Sequence, residues 1–341
     1  MVQTSRIRLK DIAVATGFSV NTVSLALRSS KRIPRETTEF ILKAAERLEY
    51  RPNHVARSLV NRATHTIGLV LTDIMNPTLT LAARTIERRL DECGYSMMFA
   101  ASDNIIASEI KALEVLRSHQ VDGMLIYPTS RRHLEHIRPL RRAGYPVVLL
   151  GPDRDAGLDV VAVDDRRGAF KAVDHLLGLG HECIGFLDAA GPLGNTDKLE
   201  GYEQALRRHK VPLQPKLVVD PGGHGAPSGY EGMAALMKKR IGPTAVFTAT
   251  DNLAIGVLAW CRDHGLRVPD DVSIVGYDNI EASEFAEIPL TTINYAADKV
   301  SEIAIERLLA LIGNQAQAPT VTLIEPDLII RRSSGPVAGK A

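Results

Sequence analysis

Asn21 and Thr22 stand in the stretch Ser19-Val-Asn-Thr-Val-Ser-Leu25, which offers an amide and three hydroxyls within seven residues. A side-chain amide at the start of an exposed helix can pair with the N6 and N7 edge of adenine in the major groove. Residues that read bases must be held on a rigid support, and the flanking sequence describes one. Ile12, Ala13 and Ala15 supply the apolar side of a short helix, and Val23, Ala26 and Leu27 that of a second. Gly17 falls at the corner between them, where a positive φ carries no Cβ penalty. Ser19 is placed as the N-cap of the second helix, accepting from the amide of Asn21 or Thr22. Ala13 is small where the helices must touch, and Val23 plugs the angle between them. Val20, Asn21, Thr22, Ser24 and Leu25 are left on the outer face, the face that a helix-turn-helix offers to bases.

Such corners also occur in proteins that bind no DNA, so the surroundings carry weight. Residues 1–62 hold 12 Lys and Arg against 5 Asp and Glu, a net charge of +7. The whole chain is only +1, which leaves −6 on residues 63–341. A basic head on an acidic body is the asymmetry of a module that docks on phosphates. A third helix is expected from Pro34 at its N1 position, with Phe40, Ile41, Ala44, Ala45 and Leu48 as its apolar stripe, ending before Pro52. The segment from Arg51 to Val60 is too short to be a stable helix alone in water. It reads either as a flexible linker or as a hinge that folds on DNA, with Leu59 as a wedge between base steps.

The other function classes are poorly served. Cys93, Cys183 and Cys261 are few and widely spaced, which argues against a disulfide framework or a metal-ligand pairing. The first residues are polar and basic rather than the apolar core of a secretory leader, and no apolar run approaches a membrane span. A soluble, cytoplasmic protein is the expectation. There is no G-x-S-x-G elbow, no G-x-x-x-x-G-K-[ST] loop and no H-E-x-x-H pair, so an enzyme is not expected, nor a cofactor, nor a metal. The Gly178-Leu-Gly180-His181 stretch reads as a helix end, and His175, His181 and His264 as ordinary helix-end residues.

From Thr66 the pattern alternates. Strands are expected at Thr66–Thr72, Ser96–Ala101, Gly123–Tyr127, Val147–Leu150, Val160–Val163, Ile184–Leu187, Leu217–Val219, Ala245–Thr248 and Val272–Gly276. Helices are expected between them at Leu81–Cys93, Ser108–Ser118, Leu134–Ala143, Gly168–Leu177, Lys198–His209, Gly229–Lys238 and Leu253–His264. This rhythm means parallel sheets covered by helices, in two similar lobes whose strand ends face one another across a ligand cleft.

LKDIAVATGFSVNTVSLAL, YRPNHVARSL, TIGLVLTDIMNP, VDGMLIYP, GHECIGFLD, PTAVFTATDNLAIG, GLRVPDDVSIVGYDN and PLTTI together resemble the lactose/galactose-repressor (LacI/GalR) family of bacterial transcription factors over nearly the whole chain. The resemblance implies an all-α helix-turn-helix headpiece over residues 1–52, a hinge helix over 53–63 and an α/β two-lobed core over 64–335. That core resembles periplasmic binding proteins, with two parallel sheets each flanked by helices. Its first lobe would span 64–166 and 294–323, its second 167–293 and 324–335, with crossovers near Asp164–Arg167, Thr292–Tyr295 and Leu323–Pro326. Residues 336–341 are a tail without leucine heptads, which speaks for a homodimer on a palindromic operator rather than a coiled-coil tetramer.

The resemblance makes Val20, Asn21 and Leu25 base readers and Ser19, Thr22 and Ser24 phosphate contacts, with Arg28 and Arg57 on the same DNA-binding side. Leu59 becomes the intercalating hinge residue and Ala56 its neighbour in the minor groove. For the effector it points to Thr78, Leu79, Tyr127, Gly151, Thr196, Lys198, His224, Asp251 and Asp278. Several of these depart from the family pattern. Leu25 replaces a polar or charged reader, and so should contact bases through apolar groups such as a thymine methyl. Thr78-Leu79 replaces a frequent aromatic pair, Gly151 an Asp of some sugar-responsive members, and His224 an aromatic wall. Lys198 replaces an arginine clamp, exchanging a bidentate fork for a point charge. Asp251 follows its strand where it could equally cap a turn. A carboxylate at Asp278 beside the Lys198 ammonium suits hydroxyl pairs, so a sugar or sugar derivative is expected as effector. A nucleobase-responsive regulator is the alternative, and a sugar-modifying enzyme with a fused headpiece a more distant one.

Overall fold

The computed structural model describes residues 7–28, 30, 32–50, 63–131, 133–151, 157–189, 191, 195–238, 242–314 and 318–337. The chain divides into two compact units, Met1–Thr64 and His65–Ala341.

The first unit holds helices α1 (Leu9–Thr16), α2 (Val20–Ala26) and α3 (Arg35–Arg47). Helix α1 begins where the Asp11 carboxylate accepts from the Arg8 amide at 2.7 Å. It stops at Gly17, whose φ of 75° lets its amide return to the Ala13 carbonyl. Ile12, Val23, Ala26 and Ile41 are wholly buried in a small core, with Ala13 and Ala45 nearly so. Three details differ from expectation, the first being that Ala15 is exposed rather than on the apolar side of α1. Pro34 is the N-cap of α3 rather than its first helical residue. Phe40 is 54% exposed instead of lying in the apolar stripe, and meets Phe18 edge to face at 6.3 Å. The stripe is carried by Ile41, Ala44 and Ala45, because Phe40 sits one residue, about 100° of helical turn, off their face.

The second unit has two six-stranded sheets. Its first lobe contains β1 (Thr66–Leu71), α4 (Pro77–Glu92), β2 (Ser96–Ala101), α5 (Ile106–Ser118), β3 (Gly123–Ile126), α6 (Arg138–Arg142), β4 (Val147–Leu149) and β5 (Asp159–Val163). The second contains α7 (Asp165–Gly178), β6 (Ile184–Leu187), α8 (Asp197–Arg208), β7 (Val218–Val219), α9 (Ala226–Met237), β8 (Ala245–Thr248), α10 (Asp251–Asp263), β9 (Ser273–Asp278), α11 (Glu281–Glu284) and β10 (Thr291–Asn294). The chain then returns to the first lobe with α12 (Ala297–Ile312) and β11 (Val321–Ile324), and ends in the second with β12 (Asp327–Ile329). Strand order is β11-β5-β4-β3-β1-β2 in one sheet and β12-β10-β9-β8-β6-β7 in the other.

Every pairing is parallel except β12 on β10. The exception is forced by connectivity. Glu325 and Pro326 alone join β11 to β12, so the chain enters the second sheet at the edge where the neighbouring strand leaves it. Helix α6 is shorter than the sequence suggests, since Leu134 and Ile137 are buried in the turns before it rather than on a helix. The inner strands of each sheet are buried on both faces, as parallel sheets require, while the edge strands β2, β7, β11 and β12 are partly exposed. Helices α7 and α8 cross closely at Gly201, where a Cβ would lie 2.2 Å from the Arg166 carbonyl oxygen.

Candidate functional site

Two sites emerge. In the first unit Ser19 caps α2, its Oγ accepting from the Thr22 amide at 3.0 Å and lying 2.8 Å from the Thr22 hydroxyl. That pairing fixes the first turn of the helix and orients Thr22. Val20 is 44% exposed. Asn21 and Arg28 are exposed as well, while Ser24 and Leu25 are partly covered. The outer face of α2 thus presents an amide, hydroxyls and two apolar side chains on a support whose other face is locked in the core. Ala56, Arg57 and Leu59 lie outside the described residues.

In the second unit a cavity of about 470 Å³ opens where strand ends of both sheets meet. Asn76 caps α4 by accepting from the Thr78 amide, with Pro77 at the first helical position, and this brings Thr78 and Leu79 to the wall. Tyr127 follows β3, Gly151 lies two residues past β4, and Asp165 and Tyr295 lie just past β5 and β10. Gly151 has a local reason to lack a side chain, because a Cβ would approach Pro128 Cδ at 3.2 Å. Burial pushes the Tyr127 hydroxyl up to about 12 and lowers the proton affinity of His224, which also lines the wall.

Lys198 on α8 donates to the Ala249 carbonyl at 2.6 Å and lies 3.7 Å above the Tyr277 ring. Tyr277 in turn donates to Asp165 at 2.8 Å. Asp278 ends β9 with φ 117°, and Asn279 follows at 57°, a strained pair for residues with side chains. Burial raises the Asp278 carboxyl well above its ordinary range, with the charges of Asp251 and Asp165 adding to the effect and Lys198 and Thr78 opposing it.

Two expected ligand contacts are not on this wall. Asp251 is wholly buried, and its carboxylate accepts from the Thr292 hydroxyl at 2.6 Å and the Ile280 amide at 3.0 Å. Thr292 also accepts from the Asn279 amide, so Asp251 clamps the strained turn that aims Asp278. The clamp requires Gly276, where a Cβ would lie 2.1 Å from Asp251 Oδ1. Thr196 precedes α8 and donates its hydroxyl to Glu200 at 3.1 Å, away from the wall.

Others were missed from the sequence. Arg131, on the loop after β3, reaches the second lobe to bind Asp197 at 2.7 Å and Asp165 at 3.1 Å. Buried Glu109 on α5 holds that loop by accepting from the Thr129 amide and by pairing with His136. Asn195 Oδ1 is buried with no hydrogen-bond partner among the described residues. The position of Asp165 and Tyr295 past strand ends could have marked them. Arg131, five residues beyond its strand, carries no such local signal.

Residues 8–53 match the family described as bacterial regulatory proteins, lacI family, and residues 173–334 match a periplasmic binding protein-like domain. The regulator DegA of Bacillus subtilis is 31% identical over 96% of this chain and 98% of its own. The chain belongs to the LacI family. Among other LacI-type relatives, the repressor PurR of Haemophilus influenzae (strain PittEE) is 32% identical over 95% of the chain and 98% of its own. The lac repressor dimer bound to operator and the anti-inducer ONPF superimposes with a TM-score of 0.88 at 26% identity, covering 97% of this chain and all of that one. This LacI-family protein is therefore a DNA-binding transcriptional regulator. Its matched relatives are regulators rather than enzymes. No described helix is long and apolar enough to cross a membrane, and no group of three metal-binding side chains gathers among the described residues.

Proposed function

We propose that this protein is a dimeric repressor whose operator affinity is set by a sugar or sugar derivative held between the two core lobes. The observation that carries this reading is the cavity at the facing strand ends, whose wall is dense in paired donors and acceptors. Asp278, Lys198 and Asn195 converge there with Thr78, and Thr78-Leu79 supply no stacking surface for a flat ring. Few polar groups converging in a cleft orient a small molecule, and adjacent hydroxyls can donate to a carboxylate while accepting from an ammonium. The chain passes between the lobes after β5, after β10 and after β11, so a ligand that draws the lobes together acts on all three crossovers. On the DNA side, Val20, Asn21 and Leu25 are proposed to read bases, with Ser19, Thr22, Ser24 and Arg28 positioning the helix on phosphates.

The similarity to PurR favours a second reading, a nucleobase effector, for which Tyr127, His224 and Tyr295 would supply ring contacts. Calorimetry against sugars, nucleosides and purines separates the two. The expected result is a sugar that binds wild type and loses at least about tenfold in affinity with Asp278→Ala, roughly 1.4 kcal/mol. Tight binding of a purine, or full sugar affinity in Asp278→Ala, overturns the carbohydrate reading.

A further inference from the structure

Charge on the cavity wall is one-sided. Among the described residues, Asp73, Asp165 and Asp188 line it, with Asp278 whose carboxyl burial holds towards its neutral form, against only Arg131 and Lys198. Both cations have partners, although of the two only Arg131 is ion-paired among the described residues. Arg131 is mostly buried, with its side chain 15% exposed, and directs Nη1 to Asp197 and Nη2 to Asp165. Lys198 is held by the Ala249 carbonyl and the Tyr277 ring. His224 adds no compensating charge near neutral pH, because burial disfavours its protonated form. A phosphate or carboxylate entering this space would have two routes. It could draw Arg131 away from Asp165 and Asp197, leaving them only the Tyr277 hydroxyl and Arg166, or it could sit beside acidic groups where Lys198 is the one cation outside an ion pair among the described residues of the wall. Either carries an electrostatic penalty that a hydroxyl or an ammonium avoids.

We propose that the cavity selects against negative charge. The effector enters as an uncharged polyol or its amino derivative, and phosphorylated or carboxylated forms of the same skeleton are rejected. Arg131 sets this preference by binding Asp165 and Asp197 where a ligand anion would otherwise be met. The proposal rests on the cavity being the effector site, and it adds a specificity role for Arg131.

The test uses the full chain and matched ligand sets, measured by thermal shift and calorimetry. Each set contains a neutral hexose or pentose with its amino, phosphate and uronate forms, and nucleosides are paired with their monophosphates. Whichever skeleton binds, its neutral or amino member should bind about tenfold or more tightly than its anionic member. An anionic member that binds equally well or better overturns the proposal. A nucleoside that binds in place of sugars, with its monophosphate rejected, refutes the carbohydrate reading and upholds the charge rule.

A second measurement needs no hit from those sets. Stabilisation by inorganic phosphate at fixed ionic strength is compared in wild type, Arg131→Gln and the Asp165→Asn/Asp197→Asn double variant. Wild type and Arg131→Gln should respond alike, whereas the double variant, with Arg131 released, should show an added phosphate-dependent shift. A wild-type response larger than that of Arg131→Gln, or no added response in the double variant, overturns the proposal.

Discussion

Replacing Asp251 with asparagine separates a structural carboxylate from a ligand contact. Asp251 is 0% exposed, and burial pushes its carboxyl from 3.8 up to about 6, although hydrogen bonds from Thr292 and Ile280 pull the other way. The folded protein therefore keeps a proton between about pH 4 and 6 that the unfolded chain releases. The associated stability is fully present below about pH 4 and is lost as pH rises through about 6. At roughly 1.36 kcal/mol for each tenfold change in proton affinity, this amounts to about 3 kcal/mol. The substituted amide would carry no charge at any pH, and its oxygen can still accept from the Ile280 amide. The advantage of Asp251→Asn over wild type should therefore grow by about 3 kcal/mol between pH 4 and pH 7. Urea unfolding followed through Trp260, the single tryptophan, reports on the second lobe directly. Ligand affinity should fall less than in Asp278→Ala, since Asp251 lies off the cavity wall and acts only through the turn that aims Asp278. Stability curves for the two proteins that run parallel across this pH range would refute the argument.

Two further outcomes are expected in the headpiece. Asn21→Ala should cost roughly 1–3 kcal/mol on the cognate site and relax preference at one base pair per half-site. An unchanged preference in a binding selection removes Asn21 from the reading face. Ile41→Ala should destabilise the headpiece by about 2–4 kcal/mol, while Phe40→Ala should cost less than about 1 kcal/mol. Equal losses in thermal unfolding would contradict the outward placement of Phe40.

What could be read from the chain was local. Gly17 and Ser19 mark a corner and a cap through backbone chemistry that needs no distant partner, and the structure has both. The strands Ser96–Ala101, Ile184–Leu187 and Ala245–Thr248 also agree in full, because an apolar run bounded by helices leaves little choice. Phe40 failed because spacing identifies an apolar stripe without showing where its edge lies. Asp251 and Asp278 share one sequence grammar, an acid following a buried strand. Only the fold places one beneath the β9 turn, against Thr292, and the other at the cavity. Arg131 was invisible for a related reason, since its partners Asp165 and Asp197 are 34 and 66 residues away. The antiparallel β12 follows from where the chain re-enters the second lobe, which no local pattern encodes.

The most direct measurement of the central claim is fluorescence anisotropy of the full chain on an operator obtained by binding selection, titrated with and without a saturating ligand from the calorimetric screen. Operator affinity should change by at least about tenfold when ligand is present, roughly 1.4 kcal/mol of coupling. That response should disappear in Asp278→Ala at the same ligand concentration while operator binding itself persists. An operator affinity that stays the same at ligand saturation would contradict the account.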